Sequence, residues 1–210
     1  MSADSTATTK RSQLKSDRRS LLLQAAERQF AERGYLAVRL EDIGAAADVS
    51  GPAIYRHFPN KEAMLVELLV GISTRLLDGG RTVVEQAGGA PAAALAGLVD
   101  FHLDFAFGEP DLIRIQDRDL NQLPATALRQ VRRSQRQYVE VWVRVLREAH
   151  PGLDEADARL TAHATFGLIN STPYSTKPTG GKPVGSTLHS RAVLRAMTVA
   201  ALHWAANRAP

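Results

Sequence analysis

LEDIGAAADVSGPAIYRHF, residues 40–58, holds two short apolar periodicities on either side of a sharp turn. Leu40, Ile43, Ala46 and Ala47 recur at three- and four-residue intervals, marking one face of a short amphipathic helix. Asp48 stands where the chain must reverse, and Asp enters the left-handed backbone region more cheaply than most residues. Val49 supplies an apolar plug. Ser50 suits an N-cap, and Pro52 falls in a first helical turn, where its missing N–H costs nothing. Ile54 and Phe58, four apart, face inward and leave Ala53, Tyr55, Arg56 and His57 outward. That pattern is expected of a helix-turn-helix whose second helix meets DNA.

Around this stretch the chain is all-helical in pattern. Residues 1–14 are rich in Ser and Thr, without apolar periodicity, and are expected to form a disordered arm. Lys10, Arg11, Lys15, Arg18 and Arg19 make that region basic: a solvated tail, or an arm along phosphates. A first helix is expected over 16–33, on the stripe Leu22, Ala26, Phe30, with Gly34 as its stop. Asn60 suits a cap for a further helix running to about Asp78. Domains are placed at 15–62 for the helix-turn-helix unit and 63–210 for a second helical unit.

Across 210 residues, 44% apolar content supports a substantial core, and the net charge of +4 permits a polyanionic partner. Cysteine is absent, which excludes disulfides and thiolate metal sites. No apolar run is long enough to span a bilayer and no signal-peptide core follows Met1, so a cytoplasmic, nucleoid-associated protein without a membrane partner is expected.

The blocks AAERQFAERGY, LEDIGAAADVS, IYRHF and NKEAML, between Arg19 and Leu65, resemble the N-terminal DNA-binding domain of TetR-family transcriptional regulators. The resemblance implies a three-helix DNA-binding domain followed by a helical effector-binding and dimerisation bundle. Tyr55 and Lys61 match the family's phosphate contacts, which fix register rather than sequence. Arg39, Ser50, Gly51, Pro52, Ala53, Arg56 and His57 complete the candidate DNA surface, Gly51 and Ala53 by being small and the Ala53 methyl by meeting a thymine methyl. The chain departs from the family at three points. Val38-Arg39 stands where Thr or Ser usually caps the second helix. Asp48 replaces the usual turn Gly, and Gly51-Pro52-Ala53 replaces a common Lys-Gly-Thr or Arg-Gly-Thr run.

Beyond residue 64, helices are expected over about 91–107, 111–121, 124–150, 154–170 and 187–207, with a Pro/Gly-rich loop at 171–186. Phe101, His102, Phe105, Tyr138, Trp142, Phe166 and Asn170 are candidates to line an effector pocket, or else to be packed core. Ala158, Ala162, Thr165 and Gly167 form a small-residue face, and the resemblance implies a homodimer paired through the last two helices. GLINSTPYS at 167–175 is similar to actinobacterial regulators of fatty-acid and branched-chain acyl-CoA breakdown. An acyl-CoA effector is thereby implied, with Arg114, Arg118 and Arg129 as candidates for its phosphates or for surface salt bridges.

No nucleophile elbow, phosphate-binding loop or dinucleotide fingerprint occurs, and the six histidines make no pair at helical spacing. Neither an enzyme nor a metal or other cofactor is expected. The expected function is a ligand-responsive regulator, most readily a repressor released from a pseudo-palindromic operator by a small hydrophobic effector. The competing reading is an adaptor or ligand-binding protein whose helix-turn-helix does not meet DNA.

Overall fold

The computed structural model describes the backbone of residues 3–171 and 184–206, and side chains over 15–171 and 188–203. The described residues form nine α-helices. They are α1 (Ala3–Arg33), α2 (Leu40–Ala46), α3 (Gly51–Ile54), α4 (Lys61–Gln86), α5 (Pro91–Gly108), α6 (Pro110–Asp119), α7 (Ala125–Ala149), α8 (Glu155–Asn170) and α9 (Val184–Ala206), with a 3₁₀ turn at Leu120–Gln122.

Two compact units divide the chain. One comprises residues 1–71 with 114–128, and the other 72–113 with 129–210. The boundary expected between 62 and 63 thus falls within α4's first turn, while the division lies further along the same helix. The segment 114–128 joins the first unit because it packs there, which no local periodicity announces.

Three helix limits differ from the sequence reading. Residues 3–14, expected as a disordered arm, continue α1. Extending a helix already nucleated by Leu22, Ala26 and Phe30 is cheaper than starting one, and Ala, Lys, Arg, Gln and Leu accept it. The last helix begins at Val184, inside the expected loop; residues 172–183, the rest of that loop, lie outside the described residues.

The third difference is α4, which runs through Gly79-Gly80 to Gln86 rather than ending near Asp78. The glycines make room. A Cβ on Gly79 would strike the Phe101 ring, and one on Gly80 would lie 2.5 Å from Tyr138 Cε2. The pair marks close approach of helix to aromatic ring, a second use of glycine that reads identically in sequence.

In the first unit, Leu22, Ala26, Phe30, Ile43, Ile54, Phe58, Met64 and Leu65 are fully buried. Gly34 ends α1 with φ +88°, as its position predicts, and Asn60 caps α4 by accepting from Ala63 N–H at 2.8 Å. In the second unit, Leu98, Leu103, Trp142, Val145 and Leu146 form the centre. Asp154 caps α8 through Asp157 N–H at 2.8 Å. Arg195 and Arg191 on α9 bind Asp100 and Asp104 on α5, at 2.6 and 2.7 Å. Ala158, Ala162 and Thr165, expected on a face between subunits, are instead buried in their own chain. Periodicity identifies a close-packing face without saying whose surface it meets.

Candidate nucleic-acid interface and effector site

The turn of the helix-turn-helix is built from three residues. Asp48 takes φ +53°, the left-handed conformation expected of it. That reversal lets Val49 N–H donate to Gly44 O at 2.8 Å. A Cβ on Gly44 would sit 2.9 Å from Val49 O, so the turn needs glycine at 44 for space, although its φ is ordinary. No local pattern distinguishes Gly44 in the sequence, because the atom that crowds it belongs to the far side of the turn.

The start of α2 lacks a hydroxyl, and a carboxylate does its work from the other side. Arg39 N–H donates to Asp42 Oδ2 at 3.1 Å, the reciprocal half of a capping box, and Arg33 pairs with the same carboxylate at 3.2 Å. The Arg39 N–H bond and then the Arg33 charge hold Asp42 below the usual carboxylate range. Ser50 occupies the N-cap position of α3, φ −61° and ψ 148°, but its side chain makes no capping bond. The α-helix proper ends at Ile54. His57 and Phe58 N–H both donate to Ile54 O, closing a tight turn where Pro59 disfavours helical backbone at Phe58.

This geometry turns Arg39, Ser50, Pro52, Tyr55 and Arg56 to solvent, with Gly51, Ala53 and His57 partly covered. Tyr55 is 55% exposed, and its hydroxyl donates to Glu41 Oε1 at 3.4 Å. Lys15, Arg18, Arg19 and Arg56 act together on His57: burial first, and then these four cations, lower its pKa. The basic residues of α1's first half therefore gather beside the outward face. Arg19 is itself engaged, with Glu67 and over the Phe58 ring at 4.2 Å.

Lys61 stands differently from its expected role. Its ammonium donates to Tyr35 O and Val38 O at 2.8 Å and to Leu36 O at 3.3 Å, and lies 4.4 Å from the centre of the Tyr35 ring. Three carbonyls occupy its three N–H donors, so it ties down the loop before α2 rather than offering a free charge to phosphate.

The expected pocket residues of the second unit converge, with one exception. His102 Nε2–H donates to Asn170 Oδ1 at 3.1 Å, leaving Nδ1 to accept from the Tyr138 hydroxyl at 3.2 Å. Phe166 lies 4.9 Å from His102, 5.1 Å from Trp142 and 5.6 Å from Tyr138, centre to centre, and Phe105 edges His102 at 5.7 Å. Burial lowers the His102 pKa to about 4 against the opposing Asn170 bond. It raises that of Tyr138, so both are neutral. Trp142 Nε1–H is buried and makes no well-formed hydrogen bond, though it acts on the Tyr138 hydroxyl against the effect of burial. Phe101 instead packs on Gly79. These rings fill the space between one another. They line neither the cleft of about 490 Å³ beside Arg144, Arg147 and Glu155 nor the apolar one of about 110 Å³ between Leu95, Val99 and Leu202.

Arg118, a phosphate candidate by sequence, is committed elsewhere. It donates to Phe30 O and Ala31 O at the end of α1 and to Asp119, whose buried carboxylate also accepts from Tyr35 N–H at 3.2 Å. Four of its five N–H donors are engaged within the first unit. The Asp-Arg-Asp run at 117–119 signals charge, but nothing local reveals that it closes the C-terminus of a helix eighty-odd residues earlier.

Two family models match consecutive parts of the chain. Residues 22–68 match bacterial regulatory proteins of the tetR family, and residues 88–183 match the tetracyclin repressor-like C-terminal domain. The chain belongs to the TetR family. The HTH-type transcriptional repressor KstR2 of Rhodococcus jostii strain RHA1 is 41% identical over 70 residues, which are 33% of this chain and 34% of that one. The match thus spans about a third of this curated relative. The ketosteroid transcriptional regulator KstR2 of Mycobacterium tuberculosis shares the fold with TM-score 0.74 and 24% identity, over 89% and 93% of the two chains. AibR, solved with isovaleryl coenzyme A and operator DNA, does so with TM-score 0.69 and 19% identity, over 86% and 97%. The TetR fold thus accounts for both units.

Proposed function

We propose that this TetR-family chain is a homodimeric, ligand-responsive repressor that binds a pseudo-palindromic operator through residues 39–57. The observation that carries this reading is the exposed face on which Arg39, Tyr55 and Arg56 surround the small Gly51 and Ala53, beside Lys15 and Arg18. Small residues admit the backbone to a groove, while the cations and the phenol reach phosphates and base edges. In a two-fold dimer such faces enter successive major grooves about 34 Å apart.

Dimerisation is supported by apolar side chains left uncovered on adjacent helices. Leu160 on α8 is 67% exposed, in line with exposed Ala156, Ala164 and Gly167. On α9, Val193 and Met197 are exposed in line with Ala196 and Ala200. Two adjacent apolar stripes suit self-association about a two-fold axis.

The effector reading is supported by the likeness to AibR, solved with isovaleryl coenzyme A, and by the neutral His102–Tyr138–Asn170 network, which a ligand would reach by parting the rings packed around it. That network suits a largely apolar ligand bearing an uncharged acceptor, such as an acyl thioester. Such a ligand lowers operator affinity by its preference for a conformer with mismatched half-site spacing. The last turn of α6, anchored to α1 by Arg118, is the element we assign to that shift.

The test is a mobility-shift assay with DNA flanking the chain's own gene, adding acyl-CoA thioesters of different length. Retardation released by one thioester supports the whole reading. Retardation indifferent to all removes the effector class, and no retardation at low salt puts the adaptor reading first.

A further inference from the structure

Among the described residues, most arginines of the second unit lie within ion-pair distance of a carboxylate. Arg75 meets Glu109 at 2.5 Å, Arg159 meets Glu140 and Glu155, and Arg191 and Arg195 meet Asp104 and Asp100. Arg81 and Arg144 have carboxylates three and four residues away on their own helices. Arg147 lines a cleft with Glu140, Glu148 and Glu155. The first half of α7 stands apart as a cluster: Arg129, Arg132, Arg133 and Arg136 are all exposed and meet no carboxylate among the described residues. Residues 120–139 contain these four arginines and no Asp or Glu.

At 3.6 residues per turn the four lie on one face, within an arc of about 100° and a rise of roughly 10 Å. Two like-charged pairs stand four residues apart, 129 with 133 and 132 with 136, and such pairs weaken a helix until an anion lies between them. Arg56, on the outward face of the helix-turn-helix, is likewise exposed and makes no ion pair among the described residues.

We propose that the first half of α7 is a second phosphate-binding surface, which grips the backbone of duplex DNA without reading its sequence. Guanidinium forks match phosphate oxygens bidentately. A rise of roughly 10 Å corresponds to about three phosphates of one strand along the duplex axis. The composition of the face favours nucleic acid over an acidic protein. Val131 is buried, Gln130, Ser134 and Gln137 run along one edge of the arginines, and Glu140, one turn beyond Arg136, is bound by Arg159. Glutamine and serine add phosphate contacts, whereas a protein partner needs an apolar anchor that this face lacks.

The experiment titrates the full chain against duplex DNA of unrelated sequence over a range of salt concentrations. It compares the chain as it stands with Arg129→Gln/Arg132→Gln/Arg133→Gln/Arg136→Gln, and repeats both in a Tyr55→Ala/Arg56→Ala background. The salt slope falls by about 0.9 for each phosphate no longer neutralised, so the four substitutions lower it by roughly 3 in either background. The melting temperature of the free four-Gln chain stays level or rises as the repulsion goes, which separates weakened binding from impaired folding. An unchanged slope and affinity overturn the proposal. So does polyglutamate that binds as tightly as DNA and is released by the same four substitutions, since it assigns the face to an acidic polypeptide. Because the Tyr55/Arg56 background removes two contacts of the operator-reading face while the four-Gln change leaves that face intact, failure of that reading and failure of this one are told apart.

Discussion

The two units use polar side chains in opposite ways. In the first, charged groups at half-exposed positions close backbone that its short helices cannot close: Lys61 on three loop carbonyls, Arg118 on the end of α1, Asp42 on the start of α2. In the second, long helices satisfy their own backbone, and the polar groups sit at the centre as a neutral network inside aromatic rings. A four-residue helix and a seven-residue one bury too little to hold themselves, so cations on carbonyls complete the smaller unit. The larger one has core to spare and places its polar atoms where they impose specificity.

Acid is the strongest test of that contrast. His102 has a folded-state pKa of about 4, below its unfolded value of about 6.5. The unfolded chain therefore takes up the proton first as pH falls. The stability tied to neutral His102 is complete above about 6.5 and is lost progressively toward 4, on the order of 3 kcal/mol in all. Urea midpoints measured from pH 7 to pH 4 should fall for the wild type and flatten for His102→Gln. An equal slope in both would remove the neutral network from the comparison.

Next in size is Gly80→Ala. In an ordinary helix interior this change stabilises by about 1 kcal/mol. Here the Cβ meets the Tyr138 ring, and a loss of about 1–3 kcal/mol is expected from overpacking. Thermal melts give the sign, and a stabilised variant would show that α4 and α7 separate freely at that point.

Lys61→Met is expected to cost about 1–2 kcal/mol by stranding carbonyls before α2. DNA affinity should fall only as far as the folded fraction does. Unaltered stability with weakened, less salt-sensitive DNA binding would restore the phosphate-contact role and break the account of the first unit. Smallest is Asn60→Ala, about 1 kcal/mol from removal of the α4 cap, read from the same melts.

What is legible in the sequence is what local pattern controls. The turn at Asp48, the stop at Gly34, the cap at Asn60 and the inward Ile54 and Phe58 all stand where spacing puts them. Six of the seven aromatic and polar candidates of the second unit converge for the same reason: they share helix faces. What escapes is partnership across distance. Lys61 and Arg118 are exposed-type residues by sequence, and their carbonyl partners lie 23 to 88 positions away. Gly79-Gly80 carries no sign distinguishing a helix break from a ring contact. Ala158 and Ala162 show a close-packing face without naming which surface it meets.

The reach of Arg118 and Asp119 back to α1 bears on how the chain is made. The first unit needs residues 114–128 as well as 1–71, so it is incomplete when its own helix-turn-helix leaves the ribosome. At typical rates of about 5–20 residues per second, the missing segment arrives roughly 3 to 11 seconds later. During that interval the nascent chain carries a helix-turn-helix whose α1 terminus is still uncapped. The first unit is therefore completed only after about a third of the second has been synthesised, and a fragment cut after Gly71 lacks the segment that closes the end of α1.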